Sequence, residues 1–184
     1  MTGKGIGHIS GPAAVLMIDH VDTDQIIPSR EMKKVGRDGL GEGLFAHWRY
    51  SDLQTREPNA DFVLNTDLAK DAPFLVSGQN FGCGSSREHA VWALADFGFQ
   101  VIVADGFGAI FRGNCVRNGI LPVALPGGEH RSWKTGDVLT LDLEEQTIGQ
   151  AGKTTSFDID PYSKLLLATG LDPIDLARQQ TALI

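Results

Sequence analysis

Between residues 73 and 125 the chain alternates short apolar runs with longer amphipathic ones, and few folds accommodate that order. Pro73–Ser77, Val101–Ala104 and Leu121–Leu125 have the length and the apolar content of short strands. Ser85–Phe97 predicts a helix, with Ala90, Ala93, Leu94 and Phe97 on one face and Gly98 as its stop. Phe107–Asn118 predicts a second helix. Strand–helix–strand–helix–strand implies parallel pairing with crossover helices, the α/β class.

The flanks extend this frame. Ala13–Ile18 predicts a buried strand running into a polar loop, Asp19-His20-Val21-Asp22-Thr23-Asp24-Gln25-Ile26-Ile27-Pro28, which the proline ends. From about 29 to 61 the periodicity fades among glycines, Pro58 and scattered aromatics, so a long irregular excursion is expected there. Asp137–Leu143, Thr147–Gln150 and Ser156–Ile159 alternate as a small antiparallel meander would. Asp160–Ala168 and Asp172–Gln179 predict closing helices, with Pro161 and Pro173 in their first turns, where proline is tolerated. The expectation is one domain over residues 1–184, a length that buries a core without staples.

Charge and cysteine usage exclude several function classes. A net charge of −7 leaves no basic stripe of the kind a nucleic-acid binder carries. No run approaches the roughly 20 apolar residues of a membrane helix, and the first residues have no signal-peptide core. Two cysteines, Cys83 and Cys115, are too few for a disulfide scaffold and fit a reducing, cytoplasmic setting. Asp19–Asp24 lacks the glycine and terminal glutamate of a calcium loop, and reads better as a polar loop that positions other side chains. Gly106-Phe107-Gly108 has Phe111 where a dinucleotide fingerprint needs its third glycine. His47, Trp48, His89 and Trp92 are expected to pack or form contacts, Trp48 and Tyr50 against another subunit.

Gly82-Cys83-Gly84-Ser85-Ser86-Arg87-Glu88-His89 lies between a predicted strand and a predicted helix. Glycines permit turns and close approaches that a Cβ forbids. The first N–H groups of a helix lack partners and, with the helix dipole, favour negative charge. Ser85 stands at that mouth, and Arg87 adds a cation suited to a carboxylate. A plainer reading also fits: Ser85-Ser86-Arg87-Glu88 matches the S-x-x-E capping box. Capping leaves the two glycines and the arginine without a role, and the two readings are compatible if Ser86 or Glu88 does the capping.

Phe81–Ala90 resembles the signature of the aconitase-family swivel domain, in particular the small subunits of the isopropylmalate-isomerase branch. Val21–Pro28 resembles the family's other signature, and Asn59–Asn65, Ile110–Asn114 and Gly119–Val123 fall in family order. The resemblance spans about Gly11 to Leu176. It implies a swivelling β/β/α fold with a mostly parallel central sheet and a small antiparallel C-terminal part. It implies reversible dehydration of a substituted malate, isopropylmalate first, with citraconate or maleate hydration as the alternative. A stand-alone carboxylate-binding module is the competing class.

By the same resemblance Ser85 is the base that takes and returns a proton on carbon, and Arg87 holds a substrate carboxylate. Asp24 orients a neighbouring side chain. Arg37, Ser86 and Gly84 complete the substrate contacts. The family's Lewis acid is a [4Fe-4S] cluster on three cysteines, and this chain has two. The resemblance therefore implies a cluster held by a larger partner subunit, no metal on this chain, and an active site between the two. Cys83 then serves as a small residue in a tight turn. Ser29, Asp105–Gly108 and Gly170–Asp175 depart from the family pattern and leave the substituent on the substrate open.

Overall fold

In the computed structural model, which describes residues 5–33, 36–171 and 174, a single strand ties two kinds of sheet together. β1 (His8–Leu16) pairs through Ala13–Leu16 with a parallel neighbour and through His8–Pro12 with an antiparallel one. On the parallel side lie β4 (Phe74–Ser77), β5 (Val101–Ala104) and β6 (Leu121–Ala124). On the antiparallel side lie β7 (Val138–Asp142), β8 (Thr147–Gln150) and β9 (Lys153–Ser156). The sheet runs β6-β5-β4-β1-β7-β8-β9. A separate hairpin, β2 (Tyr50–Asp52) and β3 (Glu57–Pro58), belongs to the 29–61 excursion.

The apolar runs are continuous because both faces of the parallel half are covered. One face packs Leu75, Ile102 and Ala104 under α3 (Glu88–Phe97), α4 (Ala109–Arg117) and the excursion's Leu40, Leu44 and Phe45. The other packs Phe74, Val76, Val101 and Val103 against Leu139, Leu141 and Ile148 of the antiparallel strands and Leu167 of α5 (Pro161–Thr169). Asp160 caps α5 by accepting from the Ser163 N–H at 2.9 Å, with Pro161 as its first residue. The second predicted closing helix, 172–179, lies outside the described residues apart from Ile174.

The last predicted strand is displaced. β9 is Lys153–Ser156 rather than Ser156–Ile159, because Gln150 pairs with Lys153 across the two residues Ala151 and Gly152. Both have positive φ, 51° and 81°, which suits a two-residue hairpin turn. The excursion contains a short helix, α2 (Ala46–Arg49), preceded by 3₁₀ turns at Ser29–Lys33 and Gly41–Gly43. Among the described residues no helix is long and apolar enough to cross a membrane.

Candidate active site

The chain leaves β4 and reaches α3 through the turn 78–87, and two other strand-end loops grip that turn. On one side the Gly82 N–H donates to the Val21 carbonyl at 2.8 Å and the Thr23 N–H to the Cys83 carbonyl at 3.0 Å. On the other the Phe81 N–H donates to the Gly106 carbonyl at 3.0 Å and the Gly108 N–H to the Phe81 carbonyl at 2.9 Å. Gly82, at φ +72°, has no room for a side chain, since a Cβ would stand 2.1 Å from the Phe111 ring. Gly84 is needed for its backbone: it sits at φ +90°, while a Cβ there would meet nothing closer than 3.5 Å.

Ser85 and Ser86 are exposed, and among the described residues neither hydroxyl has a hydrogen-bond partner. The Ser85 backbone is fixed nonetheless: its carbonyl accepts from the Arg87 N–H at 2.9 Å and from the buried Thr23 hydroxyl at 3.0 Å. The expected capping box is not made. α3 starts at Glu88 with Arg87 as N-cap, three residues later than predicted, and no side chain caps it. Glu88 turns away and accepts from the Asn118 amide at 2.9 Å, joining α3 to α4. With Glu88 turned away, the Glu88 and His89 N–H groups have no partner among the described residues, while the Ala90 N–H donates to the Arg87 carbonyl at 3.2 Å.

A genuine capping box lies on the opposing loop. Asp22 caps the short helix α1 (Thr23–Ile26), accepting from the Gln25 N–H at 2.8 Å while the Gln25 side chain accepts from the Asp22 N–H at 2.8 Å. The three aspartates of this loop go three ways. Asp19 accepts from the Gln79 N–H at 2.7 Å, which holds its carboxyl below the usual range. Asp22 caps α1. Asp24 pairs with the Arg87 guanidinium. Among the described residues no group of three or more histidines, cysteines or carboxylates is placed to hold a metal ion.

Arg87 is thus anchored: the same nitrogen that meets Asp24 donates to the Ser29 hydroxyl at 3.1 Å, and Ser29 lies 3.4 Å from the Asp24 carboxylate. A hollow of about 360 Å³ opens beside this group between Pro28, Ser29, Arg30, His47 and Trp48. The structure therefore gathers Gly84, Ser85, Ser86, Arg87 and Asp24 into one place. Arg37 stands elsewhere, with its guanidinium 4.7 Å from the centre of the Trp92 ring, in a hollow it shares with Asp38, Asp96 and Asn118. Trp48 stacks on Phe45 at 5.6 Å, and the Tyr50 hydroxyl donates to the Glu42 carbonyl.

Thr23 and Ser29 are the site residues that sequence reasoning did not single out. The signal for Thr23 was a small hydroxyl between two aspartates. Ser29 gave none beyond departing from the family pattern. The cysteines do not suit a cluster. Cys115 is fully buried in α4, and burial pushes its thiol well up, against the thiolate a metal needs. Cys83 lies in the turn with its thiol 3.4 Å from the His20 carbonyl.

A parallel sheet flanked by crossover helices, with a glycine turn opening into an uncapped helix, defines the class. Residues 5–128 match the aconitase C-terminal domain, and the chain belongs to that family. Its relatives are more specific. The 3-isopropylmalate dehydratase small subunit of Cupriavidus necator is 49% identical over 174 residues, covering 90% of this chain and 84% of that one. That of Oceanobacillus iheyensis is 49% identical over 172 residues, covering 91% and 88%. The crystal structure of the 3-isopropylmalate dehydratase of Methanocaldococcus jannaschii superposes with a TM-score of 0.76 at 27% identity, covering 96% of each chain.

Proposed function

We propose that this chain is the small subunit of a 3-isopropylmalate dehydratase, a cytoplasmic hydro-lyase that interconverts 3- and 2-isopropylmalate by removing and re-adding water. The reading rests chiefly on one observation: among the described residues the Ser85 hydroxyl has no partner beside an uncapped helix start, next to an arginine already anchored by Asp24. The names of the relatives above favour isopropylmalate over citraconate or maleate.

In this mechanism deprotonated Ser85 takes the proton from the substrate carbon while the C–O bond to the neighbouring hydroxyl breaks, the departing hydroxide taking a second proton from solvent to leave as water and an unsaturated diacid remaining. Water then re-adds with its proton and hydroxyl exchanged between the two carbons. Deprotonated serine is a strong base that water would quench, so the site must stabilise its charge. The open α3 N–H groups and the Arg87 guanidinium supply that stabilisation. Arg87 also holds a substrate carboxylate with its remaining donors, while Asp24 and Ser29 fix its plane. Gly84 and Ser86 line the approach, and the hollow beside Pro28 and Trp48 receives the isopropyl substituent. Arg37 adds a second carboxylate contact after leaving Trp92.

The leaving hydroxyl requires a Lewis acid, which a [4Fe-4S] cluster on a larger partner subunit supplies. The two cysteines here do not fit that role. The site is complete only when the partner closes over the Ser85 turn. The test is Ser85→Ala in the reconstituted two-subunit complex, where turnover is lost and assembly is retained. Full turnover in that variant removes Ser85 from the mechanism.

A further inference from the structure

We propose that Arg131 is a positioning residue for the Ser85 turn, acting as a clip between the two loops that grip it; this rests on the reading of Ser85 as the base. Those loops follow β1 and β5, which are not neighbours, since β4 lies between them. The first, Asp19–Thr23, holds the turn through the Val21 carbonyl and Thr23. The second, Asp105–Gly108, holds it through Gly106 and Gly108. Packing does little to bind them to each other: a hollow of about 500 Å³ opens among His20, Asn80, Phe107 and Pro126.

Arg131 spans that gap. It comes from a 3₁₀ turn, Glu129–Ser132, beyond the last parallel strand. Its Nε and Nη2 donate to the two Asp105 carboxylate oxygens at 3.3 and 2.5 Å, and Nη2 also reaches Asp19 Oδ1 at 3.2 Å. That Asp19 oxygen simultaneously accepts from the Gln79 N–H at the start of the turn. The arginine is itself held from below. His130 is fully buried, with Nε2 3.1 Å from the Ser77 carbonyl at the end of β4 and 3.8 Å from Asp105 Oδ2.

The loops after β1 and β5 are therefore tied by one planar guanidinium, with the β4 end joined to them through Asp19 and His130, and lysine cannot imitate that fork with a single point of charge. Losing the clip lets the two loops drift apart, and the Ser85 hydroxyl drifts with the turn they carry. Small misplacements of a reacting group cost rate steeply. The Arg87–Asp24–Ser29 group lies on the α1 side of the turn and keeps its own contacts, so carboxylate binding is spared.

The experiment compares Arg131→Met and Arg131→Lys with Ser85→Ala, in the full chain by hydrogen exchange and in the two-subunit complex by kinetics. Arg131→Met is expected to speed exchange of the Phe81, Gly82 and Gly108 amides about tenfold or more while the β4–β5–β6 ladder keeps its protection. In the complex kcat falls about tenfold with KM within about twofold, and Lys recovers only part of the loss. Should Met unfold the chain, Asp19→Asn, which leaves the Arg131–Asp105 pair, is expected to show the same exchange pattern at smaller amplitude. Unchanged exchange and unchanged kcat in a folded Arg131 variant, with Ser85→Ala inactive, overturn the clip and leave the base assignment standing. An active Ser85→Ala overturns the base assignment, and the exchange arm still decides whether Arg131 fixes the turn.

Discussion

The two halves of the sheet share β1, yet they treat their strand ends in opposite ways. In the antiparallel half, β8 returns into β9 through two exposed residues, Ala151 and Gly152. In the parallel half each strand must leave the sheet and come back through a crossover. The ends of β1, β4 and β5 therefore open into loops that lie side by side and bond to each other around the Phe81–Ser85 turn. Every site residue the structure gathers, Asp24, Gly84, Ser85, Ser86 and Arg87, hangs from those parallel ends. A ligand site outside the carboxyl ends of parallel strands follows from this connectivity. The antiparallel half serves mainly to cover the second face of the sheet.

If that division of labour is right, substitutions in the two halves should separate kinetics from stability. The largest effect is expected at the turn: Ser85→Ala lowers kcat about a thousandfold, the scale of a lost general base, while Ser86→Ala lowers kcat/KM about tenfold. Steady-state kinetics on the assembled complex checks both. Next come the anchors of the cation. Arg87→Lys raises KM about tenfold to a hundredfold by losing paired donors, and Asp24→Asn gives a smaller rise because the guanidinium survives unanchored. Thr23→Val, which strips the Ser85 carbonyl of a buried donor at 3.0 Å, is expected to lower kcat about fivefold to tenfold with the fold retained.

The antiparallel half should answer differently. A Cβ on Gly149 would stand 1.9 Å from the Lys153 carbonyl, so Gly149→Ala forces β8 and β9 apart. Denaturant unfolding should show a loss of about 2 kcal/mol or more with kcat/KM of the folded fraction unchanged. The smallest effect concerns pH. Burial holds the His130 imidazole below its ordinary value of 6.5. The unfolded chain then binds a proton that the folded chain refuses, so stability is full above that value and falls as pH drops through it. One such group contributes at most about 1.4 kcal/mol per pH unit. His130→Gln, which keeps a donor for Ser77 but cannot titrate, should flatten the urea midpoint between neutral and mildly acidic pH.

Much of this division was legible in the residues. The order of strands and helices from Phe74 to Ala124 could be read because each element carries its own apolar run and its own glycine stop. Gly98 at φ +116° ends α3 where expected. What local patterns could not settle were choices made by distant partners. Ser85 to Glu88 spells a capping box, but Asn118 claims the glutamate from 30 residues away. Asp22–Gln25 makes its own capping box, and its bridge to Cys83, 61 residues on, adds the distant contact that holds this helical turn against the site. The antiparallel strands belong to the main sheet because His8–Pro12 extends β1 to meet them, a pairing some 130 residues apart in sequence. The pairing of Arg87 with Asp24 joins residues 63 apart, a contact that no local pattern announces. The position of Arg37 over Trp92 was not legible either, because the loop that carries it has no period to read.

The central claim, that Ser85 moves the carbon-bound proton, is tested most directly by isotope exchange. In D₂O the assembled wild-type complex should wash deuterium into the substrate at the reacting carbon. The Ser85→Ala complex should bind substrate and show no such exchange. Exchange at the wild-type rate in that variant would contradict the assignment, whatever the loss in net turnover.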